Sequence, residues 1–310
     1  MRFKDLLLVP VIAIAAAFAV APEAAAVSAP RLLINQDFPD PDVVKTAWGY
    51  FAFATGPRIR MASAAAPDGP WRVAGDALGA VPAWAKADGG FWAPDVTQLA
   101  DGTFVLYFAA ALTAGGEMCL GAATAKKAEG PYTPAGDRPL VCEPGDHGDI
   151  DPQTFVDTDG SRFLLYKSDG AATGPPSAIW AQKLQADGRT LSGARIELLR
   201  ADLTAEMSVV EAPSVVKTAS RYLLFYSADT FQSTGYHTDY ASAPTLGGAF
   251  VKADGKFLST DLLAGQVDAP GGADVLDDHI FFHGWLGGGR TARGLYSLPI
   301  TFPGDVPKLG

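Results

Sequence analysis

A chain of 310 residues, 48% of them apolar, carries enough hydrophobic material for one large domain or two small ones. Its 34 acidic side chains outnumber 24 Lys and Arg, for a formal charge of −10, and no Lys/Arg cluster interrupts the acidic balance. That field argues against nucleic acid and anionic membrane surfaces as partners, and it selects no substrate.

The first element is a leader. Met1-Arg2-Phe3-Lys4 is basic, Leu6 to Val20 is apolar, and Ala24-Ala25-Ala26 offers a small-residue cleavage site. This is the layout of a secretory signal peptide over residues 1–26, with an apolar run short for a bilayer span. The mature protein is therefore expected to be secreted, free of the membrane once the leader is cut. Residues 27–310 are expected to form a single domain. Export also permits a disulfide. Cys119 and Cys142 are the only cysteines, and a bridge between them is the reading adopted, with two buried free thiols as the alternative.

A lead-in with Leu32-Leu33-Ile34 is expected to pair with the last unit and close the fold. One pattern then recurs five times: a polar turn, a short apolar strand, a second turn and an apolar-aromatic strand. It starts as Asp40-Pro41-Asp42-Val43-Val44, followed by Trp48-Gly49-Tyr50-Phe51. It returns as Ala93-Pro94-Asp95-Val96, with Asp101-Gly102 before Phe104-Val105-Leu106-Tyr107-Phe108. The third copy is Asp151-Pro152-Gln153-Thr154-Phe155, with Asp159-Gly160 before Phe163-Leu164-Leu165-Tyr166-Lys167. Then come Glu211-Ala212-Pro213-Ser214-Val215 with Tyr222-Leu223-Leu224-Phe225-Tyr226, and Gly272-Ala273-Asp274-Val275 with Ile280-Phe281-Phe282-His283. Asp-Gly between two such runs is a strong hairpin signal.

Aligned on Asp40, Ala93, Asp151, Ala212 and Gly272, the copies stand about 53 to 61 residues apart. No single copy can bury its own faces, so five copies over roughly 37–305 predict one all-β domain. The architecture expected is a five-bladed β-propeller, with four-stranded antiparallel blades around a central channel. Radial repetition brings equivalent positions to one point on the axis.

At that point stand Asp40 and Asp151, with Glu211 one residue ahead of register. Glycoside hydrolysis needs two carboxyl groups about the scissile bond, and a third can raise the acid's pKa by like-charge repulsion. Asp and Pro also form turns at strand entries, but that role gives no reason for acids in three copies of five. Trp92 stacks on a sugar or fills the core between blades. Phe38 is placed at the pocket wall. His283 meets a substrate hydroxyl or is a satisfied core residue. Arg293 lies beside a carboxylate and keeps it ionised, or is exposed. Asp95 reads as a turn or supporting group, His147 as a rim residue, and His237 and His279 as solvent-facing. The four histidines lack the helical His-x-x-x-His spacing and Cys-x-x-Cys is absent, so no metal site is predicted, and Gly-x-Ser-x-Gly and phosphate-loop patterns are absent too.

Phe38-Pro39-Asp40-Pro41-Asp42, Phe91-Trp92-Ala93-Pro94-Asp95, Asp149-Ile150-Asp151-Pro152 and Glu211-Ala212-Pro213-Ser214 together resemble glycoside hydrolase family 43. That family comprises five-bladed arabinanases, α-L-arabinofuranosidases and β-xylosidases. The resemblance implies Asp40 as general base, Asp151 as an ionised pKa modulator and Glu211 as protonated general acid, with inversion at the anomeric carbon. It implies a carbohydrate partner, an arabinan or a xylose-containing hemicellulose; separately, a monomer is expected. No cofactor is required. A calcium or sodium ion in the central channel is compatible with the family but not predicted, because Gly271-Gly272-Ala273 stands where many members carry Gly-His-Gly. Two other classes are weighed: a non-catalytic sugar-binding propeller, and a retaining fructosidase-like enzyme whose Asn-flanked Asp-Pro motif is lacking here.

Overall fold

Apolar runs such as Tyr222-Leu223-Leu224-Phe225-Tyr226 show no alternation because both of their faces are buried. Leu224 and Tyr226 pack toward one neighbouring blade, and Leu223 and Phe225 toward the other. Successive strand residues point to opposite faces, so a strand between two blades must be apolar throughout. The computed structural model describes residues 27–170 and 175–310. The leader expected over 1–26 lies outside the described residues.

Five antiparallel sheets are arranged in chain order. Blade 1 runs outward from Asp42–Thr46 through Gly49–Ala54 and Arg60–Ala64 to Arg72–Asp76. Blade 2 comprises Phe91–Gln98, Phe104–Ala111, Met118–Ala125 and Thr133–Pro134. Blade 3 comprises Asp149–Val156, Arg162–Ser168, Ala178–Leu184 and Leu191–Arg200. Blade 4 comprises Val210–Lys217, Tyr222–Ala228, His237–Ala243 and Val251–Lys252. Blade 5 contributes Asp268–Leu276, His279–Trp285 and Arg293–Thr301, and Arg31–Ile34 from the chain's start completes it. Leu32 pairs with Tyr296 there, so the lead-in closes the ring as expected. The fold is a five-bladed β-propeller.

Each blade interface holds its own core. Phe53 and Phe108 belong to the first, between blades 1 and 2. Tyr107 and Leu164 join blades 2 and 3, and Leu165 and Leu224 join 3 and 4. Phe225 and Phe282 join 4 and 5, and Phe281 with Val43 closes 5 onto 1. Each fully buried Leu or Phe contributes roughly 1.5–3 kcal/mol. Cys119, in the third strand of blade 2, is bonded to Cys142 in the connection to blade 3. Among the described residues no helix is long and apolar enough to cross a membrane.

Two expectations about exposure are corrected. His237 is buried, with its ring nitrogens against the Gly235 carbonyl and Asp239, because it opens a strand covered on both faces. His279 is half-buried, its ring stacked on Phe281.

Candidate active site

The inner strands begin at one mouth of the axis, and there the chain departs from a straight strand in the same way five times. Asp40, Ala93, Asp151, Ala212 and Gly272 have φ of 53°, 41°, 55°, 49° and 59°. In blades 2 to 5 this residue sits inside a register shift, between Trp92 and Asp95, Ile150 and Gln153, Glu211 and Ser214, and Gly271 and Asp274. Such a bulge bends the strand and re-aims its side chains. Asp tolerates the left-handed region better than most residues, which suits Asp40 and Asp151 to the position.

The bulge frees backbone N–H groups from the ladder, and side chains of the preceding blade accept them. Asp40 N–H donates to His283 Nδ1 at 3.0 Å, and Ala93 N–H to Thr55 Oγ1 at 2.8 Å. Ala212 N–H donates to Asp151 Oδ2 at 2.9 Å, and Gly272 N–H to Ser227 Oγ at 2.8 Å.

Two residues further in, Asp42, Asp95, Gln153, Ser214 and Asp274 ring an axial space of about 40 Å³. The acids staple blade to blade. Asp42 accepts the Val96 N–H, Asp95 the Thr154 N–H and hydroxyl, and Asp274 the Val43 N–H. Burial pushes Asp95 up to about 7 and Asp274 to about 6. Burial, then the charges of Asp95 and Asp274, raises Asp42 well above the ordinary range. Asp95 is thus an interblade brace. The residues present do not fit a channel ion held in the family manner. The channel carboxylates are engaged by backbone, and among the described residues no three His, Cys, Asp or Glu side chains converge to hold a metal. A Cβ at position 272 would meet His283 Nδ1 at 2.7 Å, so the space beside Gly272 is filled by an imidazole from the adjacent strand.

Above the ring opens a cavity of about 570 Å³, and Asp40, Asp151 and Glu211 all line it. Asp40 Oδ1 accepts from Arg293 Nη1 at 2.9 Å and Oδ2 from Thr55 Oγ1 at 2.6 Å. Burial alone would push Asp40 up. The Arg293 charge, aided by the Thr55 and Arg293 hydrogen bonds, outweighs it and holds the carboxyl below its usual value. Asp40 is therefore ionised. His283 is driven down to about 3 by burial and by Arg293, so its ring is neutral.

Glu211 is gripped from two sides. Lys167 Nζ lies 2.9 Å from Oε2, and the Tyr236 hydroxyl donates to Oε1 at 2.7 Å. Tyr236 in turn stacks parallel on His283 with centroids 5.9 Å apart, linking acid and base sides. Asp151 is pushed up to about 7, first by burial and then by the Glu211 charge, with Lys167 opposing. An ionised Asp151 was expected from the sequence. Burial, which the sequence does not display, places it instead at the edge of neutrality near pH 7.

Trp92, 41% exposed, and Arg293 also line the cavity, as does His147. Two residues placed at substrate contact are elsewhere. Phe38 is fully buried among Ile34, Val43, Phe281 and Leu295, and only its backbone serves the site, donating to the Arg293 carbonyl at 2.6 Å. His283 is 1% exposed and lies behind Asp40. Sequence reasoning missed Lys167, Thr55, Tyr236 and Phe231, which line the same cavity. Only Lys167 leaves a trace, a charge ending an otherwise apolar strand beside an acid-bearing one. Phe231 lies under the Arg293 guanidinium at 4.8 Å and stacks on Trp285.

Residues 30–286 match the family model described as Glycosyl hydrolases family 43. An arabinan endo-1,5-α-L-arabinosidase A of Aspergillus niger is 27% identical over 258 residues, covering 74% of each chain. A 100-residue stretch is 34% identical to the extracellular endo-α-(1→5)-L-arabinanase 2 of Bacillus subtilis, covering 27% of this chain and 20% of that protein. The crystal structure of a thermostable family-43 glycoside hydrolase superposes with a TM-score of 0.76 at 22% identity, over 88% of this chain and 93% of that one, and shares its fold.

Proposed function

This chain belongs to glycosyl hydrolases family 43 and is a glycosidase, and from that premise we propose that it is a secreted arabinanase-type enzyme that inverts configuration. The observation that carries the reading is the convergence of three carboxyl groups from blades 1, 3 and 4 on one cavity, in unequal electrostatic settings. Environments that push titratable groups apart divide acid from base.

Asp40, kept ionised by Arg293 and Thr55, takes a proton from a water attacking the anomeric carbon. Glu211, holding the proton it shares with Asp151, delivers it to the leaving oxygen. Inversion requires base and acid about 6.5–9.5 Å apart, with the water between. Trp92 and Phe231 offer apolar faces for sugar rings on the cavity wall. Arabinan is favoured as substrate by the printed activities of the Aspergillus and Bacillus relatives, and secretion by the leader and the extracellular Bacillus relative.

The test uses dye-linked arabinan, p-nitrophenyl α-L-arabinofuranoside and p-nitrophenyl β-D-xyloside, with wild type and Glu211→Gln. Arabinan hydrolysis that falls by about 10²–10⁴-fold in the variant is expected, the usual worth of a general acid. A folded wild type that leaves all three intact refutes the reading, and sugar binding without hydrolysis would identify a binding propeller.

A further inference from the structure

Lys167 is 3% exposed, in a site where a long cationic side chain has every reason to reach water. Its backbone pairs with Ile150, the residue before Asp151, so the second strand of blade 3 sets its ammonium behind the acid-bearing bulge. From there it crosses the blade interface. Nζ lies 2.9 Å from Glu211 Oε2 on blade 4 and 3.0 Å from Asp169 Oδ1 at the end of its own strand. Three carboxyl groups face this one ammonium: Glu211, Asp151 and Asp169. Tyr236 grips the other oxygen of Glu211.

A buried ammonium persists only when paired, and a cation beside two neighbouring acids favours their ionised forms. Burial and mutual repulsion work the other way on Asp151. The proton count of the acid pair is thus a balance in which Lys167 opposes burial and repulsion at Asp151.

We propose that Lys167 is a positioning residue for the acid pair: it anchors the Glu211 carboxyl and sets the pH at which Asp151 and Glu211 give up their last shared proton. The inference rests on the reading of Glu211 as general acid. Without the ammonium, the pair would keep its proton to higher pH, and Glu211 would be held by Tyr236 alone. Asp169 lines the cavity and competes for the same ammonium, so removing its charge acts in the opposite sense.

The experiment compares the basic limb of kcat/KM on arabinan for wild type, Lys167→Met, Lys167→Arg and Asp169→Asn. Carboxyl ¹³C titrations of the same proteins, assigned with Asp151→Asn and Glu211→Gln, report the pair without requiring turnover. Lys167→Met is expected to move limb and titration alkaline by about one pH unit or more, the usual effect of an opposite charge at this range, and to lower kcat. Lys167→Arg keeps both near wild type, and Asp169→Asn moves both to lower pH. A residue that merely packs would cost thermal stability in Lys167→Met and move neither, which overturns the proposal. Should Lys167→Met not fold, Asp169→Asn decides, since an unmoved titration overturns the proposal equally. An inactive wild type would fail the glycosidase reading, while the carboxyl titration would still judge Lys167.

Discussion

Replacing Arg293 by Met removes the charge that keeps the base ionised. Arg293 Nη1 stands 2.9 Å from Asp40 Oδ1, and both side chains are largely shielded from water. A unit charge pair at about 4 Å between charge centres is worth about 4 kcal/mol at an effective dielectric near 20. At 1.36 kcal/mol per pKa unit that is an upper bound of about 3 units. Partial exposure, Thr55 and the adjustment of neighbours reduce it to about 1–2 units. The sign is fixed by the active form. Asp40 works deprotonated, so losing a neighbouring cation raises its pKa, and the acid limb of kcat/KM moves up. For a two-unit shift, at one pH unit above the wild-type limb, Arg293→Met should retain about a tenth of wild-type kcat/KM on this account alone. Loss of the guanidinium from its place over Phe231 adds a pH-independent decrease. The assay is initial-rate hydrolysis of arabinan from pH 3.5 to 9, with Arg293→Lys expected to restore much of the limb position but not the two-pronged contact. An acid limb that stays at the wild-type pH in Arg293→Met would refute the assignment of Asp40 as a base held ionised by Arg293.

Three further expectations follow from the same network. Asp149 is fully buried, and burial pushes its carboxyl up to about 8; its neutral form is favoured in the fold, so its contribution to stability is complete below the unfolded value of about 3.9 and is lost as pH rises through 8. Asp149→Asn should therefore raise Tm at pH 9 by about 2–4 °C for each kcal/mol recovered, and leave Tm at pH 4 nearly unchanged by scanning calorimetry. In Gly272→Ala the left-handed backbone is tolerable, since Ala93 and Ala212 adopt it at equivalent positions, but the new Cβ would stand 2.7 Å from His283 Nδ1. Displaced His283 no longer accepts the Asp40 N–H, so kcat should fall at least tenfold, about the weight of one 1.4 kcal/mol interaction, with the fold retained by circular dichroism. The Cys119–Cys142 bond spans 23 residues of sequence; Cys119→Ser with Cys142→Ser should cost about 3 kcal/mol by thermal unfolding and leave kcat within about twofold, because neither residue lines the cavity.

The axial geometry was legible in the chain because one backbone requirement repeats. Asp40, Ala93, Asp151, Ala212 and Gly272 align by spacing, and the same five residues adopt the left-handed conformation at the mouth of the axis. Closure through Leu32 was legible for a related reason, a spare apolar strand ahead of five complete units. What stayed hidden depends on contacts across blades. Thr55, Lys167 and Tyr236 reach Asp40 or Glu211 from residues 15 to 44 positions away in sequence, and no local pattern announces them. Phe38 and His283 sit beside the right residues but are enclosed, Phe38 in the core between blades 5 and 1 and His283 behind Asp40, a placement that only the closed ring decides. The neutral tendency of Asp151 arises from burial, a property of the assembled ring and not of the Ile150-Asp151-Pro152 motif.

The central claim is single-displacement hydrolysis at the cavity shared by Asp40, Asp151 and Glu211. Real-time ¹H NMR of arabinan digestion tests it most directly, because the anomeric signal of the first product appears before mutarotation scrambles it. The β-anomer of the new arabinose reducing end, appearing first and lost with Asp40→Asn, is the result expected of an Asp base and a Glu acid with water between them. An α-anomer appearing first, or hydrolysis undiminished in Asp40→Asn, would contradict it.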